Sequence, residues 1–304
     1  MVSRQGGEHP HGADADADGD ALVRARSRRF RMLEHLWSSP INILGSLLVL
    51  SVLVEAVIGR AVAPYSPTLP QYGASFSAPS WQHLFGPDEV GRDVFSRVLA
   101  GAGSAMEVVV VVVGIGATFG TLLGLIAGYA GGWIDELLMR LTDIFLAFPV
   151  LVLAIAIAAI LGPSLSHTML ALTVLWWPWY ARLIRGQVLA LREREYIEAA
   201  RAAGVPPFRI LWRHLLPNTM GPLVVQLSLD LGYALLAASS LSFIGLGVQP
   251  PEPDWGLMVN DAQPYLRSDW WVGAFPGLAI VVAVLGFNLL GDALGEMQET
   301  RYGR

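Results

Sequence analysis

Six stretches of the chain are each apolar enough to cross a lipid bilayer as a helix, and this limits the fold more than any other feature. A spanning helix needs ~20 predominantly apolar residues. The stretches run about 41–58, 105–129, 139–161, 169–184, 223–245 and 271–290. A short turn at 162–166 joins the third and fourth, and the fifth follows Pro217 and Pro222. Lipid offers no partners to backbone N–H and C=O groups, so segments of this length cross as helices that satisfy their own. The expected fold is therefore all-α and integral to the membrane, with six transmembrane helices in residues 37–304. Composition agrees: 54% of the 304 residues are hydrophobic and 15% charged, against roughly 25% charged in an average soluble domain.

Residues 1–36 form a separate tail. Asp14, Asp16, Asp18 and Asp20 alternate with Ala or Gly, and Arg24, Arg26, Arg28, Arg29 and Arg31 follow. So little apolar surface does not offset ordering entropy, and the tail is expected to be disordered with a basic juxtamembrane end. Its acidic start and long polar lead are unlike a cleaved signal peptide, so it is expected to remain attached.

Missing residue types exclude whole chemistries. The chain has no cysteine, hence no disulfide, cysteine-ligated zinc, iron–sulfur cluster or thiol nucleophile. All 20 basic residues are arginines. A P-loop needs a lysine against its phosphates and a PLP enzyme needs one for its Schiff base, so any ATP chemistry belongs to a partner. The six histidines stand at no metal-ligand spacing, no metal site is expected, and no G-x-S-x-G nucleophile elbow occurs.

Arginine placement sets the orientation. With the N-terminus in the cytoplasm, 16 arginines lie inside and four outside (Arg60, Arg92, Arg97 and Arg267), so the positive-inside rule places both termini in the cytoplasm. The aromatic group Trp176, Trp177, Trp179 and Tyr180, with Trp270 and Trp271, is read as interfacial anchors. In the second stretch Gly116, Gly120, Gly124 and Gly128 recur every fourth residue, a stripe that lets another helix backbone approach closely.

Two carboxylates are expected at membrane depth. Asp143 is within a turn of Arg140, and an i,i+3 ion pair is expected there. Asp230 has no evident partner in its own helix and is a candidate pathway residue, because a lone carboxylate in lipid is costly. It faces either a central cavity or a neighbouring helix.

The loop after the fourth stretch is the most informative. From Arg192 to Pro217 it reads REREYIEAARAAGVPPFRILWRHLLP, two short helices split by Gly204 and Pro206. Ile197, Ala200 and Gly204 share one face of the first, and Phe208, Leu211 and Leu215 one face of the second. A DNA-binding helix-turn-helix is the competing reading of a basic two-helix unit. Its place between two spans keeps it at the membrane surface, and no nucleic acid is expected.

Within this loop Glu198-Ala199-Ala200, three residues, Gly204, then nine residues to His214 and Leu216-Pro217 resembles the EAA loop of membrane subunits of binding-protein-dependent ABC importers. His214, where the general pattern has Ile, resembles the dipeptide, oligopeptide and nickel subgroup. Residues 132–155, 177–204, 240–256 and 275–292 agree, and Gly91-Arg92-Asp93 fits the subgroup's C-type permease subunit. The similarity covers about 38–292. Two departures stand out: Gly86-Pro87-Asp88 in place of Gly-Thr-Asp, and Ala238 where a Glu is common.

The resemblance implies a type I importer permease fold with a cytoplasmic coupling helix. The partners it implies are a second, B-type permease subunit in a heterodimer, two cytoplasmic ABC ATPases, an extracytoplasmic substrate-binding protein and the bilayer. ATP and Mg would sit on the ATPases, with no cofactor on this chain, and the location would be the bacterial inner membrane. Glu198, Ala199, Ala200, Gly204, His214, Leu216 and Pro217 would couple to an ATPase. Gly91, Arg92, Asp93, Asp254 and Trp255, in segments assigned outside, are candidate contacts for the binding protein. Dipeptides or oligopeptides are the expected cargo, with nickel or another small solute as the alternative. A proton-coupled secondary transporter using Asp230 is the alternative of another class.

Overall fold

The computed structural model describes residues 39–70 and 75–302, with side chains to residue 297; the expected disordered tail 1–36 lies outside the described residues. The helices are α1 Pro40–Val62, α2 Val94–Ala130, α3 Gly132–Leu146, α4 Val150–Leu161, α5 Leu165–Arg192, α6 Glu195–Ala202, α7 Pro207–Ile210, α8 Leu216–Phe243, α9 Trp255–Asp261 and α10 Trp271–Tyr302. Among the described residues the one strand-like pairing is an antiparallel bridge, Pro87 to Asp93.

Local chemistry sets several boundaries. Pro40 opens α1, where its missing N–H costs nothing. Asp93 caps α2 by accepting the Ser96 N–H at 2.8 Å. That cap starts α2 at Val94 rather than near residue 105, so its first turns belong to the polar segment that precedes the apolar run.

Two further expectations change in detail. The third apolar stretch is not straight: Pro149 stands between α3 and α4, which meet at 80°. Proline cannot donate to the preceding turn, and it pushes the residue before it out of helical conformation. Conversely, α8 runs through Pro222 and has Pro217 in its first turn. Leu211–Leu215 winds as a π-helix directly ahead of it, so Pro207–Phe243 is one long apolar span.

Among the described residues four helices qualify as spans alone, and five if the bent α3–α4 pair counts as one. The remaining stretch, 169–184, lies within α5. That helix is long enough at 28 residues but carries threonines, tryptophans, a proline and arginines. Its neighbours explain this, because α5 is packed by protein along much of its length. Trp176, Trp177, Tyr180 and Ile184 are all buried.

The α2–α5 pair forms the centre. A Cβ placed on Gly116 would lie 2.8 Å from Trp176 Cβ, on Gly120 2.7 Å from Tyr180 Cβ, on Gly124 2.9 Å from Ile184 Cβ and on Gly128 2.8 Å from Val188 Cβ. All four glycines thus face α5, whose bulky side chains fill the room they leave. The anchor reading of Trp176, Trp177 and Tyr180 is corrected accordingly: these rings are core, and Trp179 and Trp270 are the exposed ones of the group. Around this centre, α1 packs on α2 and α10, and α10 on α8. The other face of α1 exposes Ile41, Leu44, Leu47, Leu50 and Val57, as a lipid-facing helix does.

Candidate functional site

At the C-terminal end of α2, the chain leaves α5 and forms the eight-residue helix α6. Ile197 is fully buried and anchors it. Glu198, Ala199, Ala202, Ala203 and Gly204 are exposed, with Ala200 partly so. Gly204 adopts φ 73°, its N–H bonds Arg201 O at 3.0 Å, and the Val205 N–H bonds Ala200 O at 3.0 Å. This left-handed closure ends the helix and suits glycine. The second helix begins at Pro207, with Pro206 as its cap.

Phe208 does not join the buried side of Leu211 and Leu215. It is 71% exposed, with Trp212 at 44% and the two rings 5.9 Å apart. The loop therefore presents small side chains and two aromatic rings, a surface whose apolar area has no cover among the described residues. His214 and Leu216 are partly buried behind it and Pro217 is exposed.

Polar contacts tie this loop to the bundle. The Arg201 guanidinium lies 5.1 Å over the Tyr129 ring at the end of α2, a cation–π contact. Arg192 donates to Gly128 O at 3.0 Å, and Arg185 to Asp135 at 2.7 Å. The expected Arg140–Asp143 pair is not formed. Arg140 reaches back one turn to Glu136, while Asp143 faces α5 and takes Arg182. These contacts join α6 to α2, and the π-helix joins the loop to α8.

At the opposite end of α2 a buried polar web holds the segments before α2 and after α8. Asp88 accepts from Arg92 N at 2.8 Å and Arg92 Nε at 2.7 Å. Asp93 takes His83 at 2.9 Å and Ser96. Arg97 bonds Pro67 O at 2.8 Å and Pro251 O at 3.2 Å. Asp254 caps α9 through the Leu257 N–H at 3.0 Å, and Trp255 Nε1 donates to Val98 O at 2.9 Å.

Gly91, Arg92, Asp93, Asp254 and Trp255 are all buried. The side chains of Arg92, Asp93, Asp254 and Trp255 hold the segments together, and Gly91 contributes its N–H to Asp88 O. Exposed positions of these segments include Trp81, Leu69, Leu84 and Val90. Of the two departures, Pro87 forms the bridge to Asp93 directly before Asp88, the hub of this web, and Ala238 is buried against the bundle.

Three carboxyls here titrate high. Burial raises Asp254. It also raises Glu89, helped by Asp261 and Asp88, and raises Asp261 against the pull of Arg92 and Arg97. A carboxyl raised in the folded state binds protons more tightly there than when unfolded. Its stabilisation is full below the ordinary carboxylate range and is lost as pH rises through the raised value. Thermal unfolding is expected to shift upward as pH falls from 7 towards about 5, and E89Q/D261N should flatten that shift. Equal pH dependence in both proteins would remove these groups as its source.

In mid-span, Asp230 is buried in α8. It does have a partner in its own helix, since Gln226 Nε2 donates to Asp230 Oδ1 at 2.9 Å from one turn back. Tyr180 and Trp176 of α5 lie beside the carboxyl. Sequence reading passed over Glu107, an exposed carboxylate of α2; its place inside an apolar run was the available signal.

A bundle of apolar helices, with a small-residue loop at one end and a polar web at the other, defines the chain as a membrane permease. A chain of the inward-facing MetNI methionine ABC transporter shares the fold, with TM-score 0.54 at 20% identity over 66% of this chain and 95% of that one. The chain belongs to the family of binding-protein-dependent transport system inner membrane components, whose model matches residues 120–304. Relatives include the probable D,D-dipeptide transport system permease protein DdpC of Escherichia coli, 40% identical over 91% of this chain and 94% of that protein. The dipeptide permease DppC of Alkalihalophilus pseudofirmus is 42% identical, over 86% of each. The glutathione permease GsiD of Escherichia coli is 44% identical, over 88% and 86%.

Proposed function

We propose that the chain is one half of the pathway of an ATP-driven importer of dipeptides or oligopeptides, in the inner membrane with both termini cytoplasmic. A second permease subunit completes the pathway. Two cytoplasmic ATPases carry ATP and Mg, and one of them docks on the α6 face, formed by Glu198, Ala199, Ala200 and Gly204 with His214, Leu216 and Pro217 behind or beside it. A binding protein delivers cargo to the opposite end.

The carrying observation is that α6 face. It is exposed, has little side-chain bulk, is flanked by Phe208 and Trp212, and is fastened to α2 through Arg201 and Arg192. A groove on a rigid partner receives such a helix closely, and the fastening passes the partner's motion to the spans. Peptide cargo is supported by the relatives, which are named for D,D-dipeptides, dipeptides and glutathione.

Vesicle uptake with ATP and an uncoupler varied independently tests this. Peptide uptake is expected to need ATP and to survive the uncoupler. Gradient-dependent, ATP-independent uptake would instead make the chain a proton-coupled carrier.

A further inference from the structure

Resting on that peptide reading, we propose that Asp230, walled by Trp176 and Tyr233 and backed by Tyr180, is where the pathway grips the protonated amino group of its cargo. Four observations converge on it. First, the carboxyl is at mid-span, and the groups beside it are hydrogen-bond donors, Gln226, Tyr180 and Trp176, with no cation among them. A membrane carboxyl is retained where something pairs with it, and the absent member of this group is a positive charge. The acids that face α5 nearer the α6 end of the bundle differ in this respect: Asp135 and Asp143 each hold an arginine.

Second, Tyr180 Oη is fully buried and makes no hydrogen bond of good geometry, although Asp230 lies beside it. A buried hydroxyl left this way is ready to take part in a site that a ligand completes. Third, the rings of Trp176 and Tyr233 stand 5.3 Å apart at 35°, and Tyr233 is 47% exposed. Aromatic faces beside a carboxyl suit an ammonium group, which they attract through the ring quadrupole while the carboxyl supplies charge and a hydrogen-bond acceptor.

Fourth, Gln226, Asp230, Tyr233 and Ser240 follow helical spacing along one side of α8. These include the one carboxylate of α8, and such a group is kept on a side turned away from lipid. Next to the Ser240 end of this polar stripe a cleft of about 330 Å³ opens among α8, α4, α9 and α10, bordered by Leu236, Ser240, Leu151, Ile155, Val259 and Ile280. Leu236 is six residues from Asp230, about 9 Å along the helix. A dipeptide extends about 7 Å, so the cleft is adjacent to the amine site along α8 without being part of it.

The test uses the complete importer in proteoliposomes with its loaded binding protein, labelled dialanine as cargo, and ATP hydrolysis read in parallel. D230N is expected to lower dialanine uptake about 10-fold while hydrolysis stimulated by the binding protein stays within about 2-fold of wild type. D230E, which keeps the charge, should retain most uptake. Y233F should do likewise by keeping the ring, whereas Y233L should fall with D230N. Full uptake by D230N overturns the amine site alone. Hydrolysis falling in step with uptake, or a lowered melting temperature in D230N, assigns Asp230 to helix packing and also overturns it. A wild-type importer that hydrolyses ATP but takes up no dialanine overturns the peptide reading, and the amine site with it.

Discussion

Gly120→Leu is expected to prevent α2 and α5 from closing and to leave the chain without its native fold. The Gly120 site is bounded by the Tyr180 Cβ, the Ala181 N at 3.0 Å and the Trp177 carbonyl, two of them backbone atoms of a helix. A flexible side chain would move aside, but a helix backbone moves only as a unit, and that displacement would separate the pair along its length. Overpacking a core costs about 1–3 kcal/mol where side chains can adjust. Here the cost should exceed about 3 kcal/mol, a large part of the stability of an ordinary domain. Gly114→Leu is the matched control, because nothing stands within 4 Å of a Cβ there. Its effect should stay within about 0.5 kcal/mol. Thermal unfolding of the detergent-purified subunits separates the two, and equal melting temperatures would mean that the stripe does not hold the helices.

That stripe shows which features a sequence carries openly. Glycines at 116, 120, 124 and 128 announce a close helix contact by spacing alone, because a small residue every fourth position has one geometric use in a membrane helix. Their partner was not announced. Trp176, Trp177 and Tyr180 have the composition of interfacial anchors, and only the position of α5 against the stripe turns them into filling for the gap. The same gap in information explains the span count: hydropathy measures fitness for lipid, whereas α5 packs one whole side against α2 and has less need of it.

Buried polar residues misled for a related reason. Gly91-Arg92-Asp93 and Asp254-Trp255 are polar or aromatic residues in segments outside the spans, which in sequence is the signature of a contact surface. Capping and ion pairing draw on the same residue types. Asp93 and Asp254 each cap a helix three residues ahead of the N–H they accept, a spacing visible in the sequence. The arginines joining distant segments, Arg97 to Pro67 and Pro251, have no local signal at all. The α6 loop was better specified, since proline and glycine act through the backbone of their neighbours. Even so, the outward turn of Phe208 depends on the chain continuing through a π-helix into α8, which propensity did not show.

Gly204→Leu is expected to leave membrane insertion intact and lower ATP-driven transport at least about 10-fold, and the structure separates the two reasons for that loss. One is conformational. At φ 73° a residue with a Cβ is strained by roughly 1–2 kcal/mol, enough to fray the end of α6 but not to unfold a bundle held elsewhere. The other is steric, and it does not come from this chain, because nothing lies within 4 Å of a Cβ at this position. Under the proposed docking, any obstruction comes from the partner seated on the α6 face. Asparagine distinguishes them, since it tolerates the left-handed region while still filling the space. If the α6 face is a docking surface, Gly204→Asn should also weaken copurification of the ATPase and reduce transport. Full coupling by the Asn variant would make Gly204 a helix terminator and nothing more, and full coupling by the Leu variant would remove the docking assignment altogether.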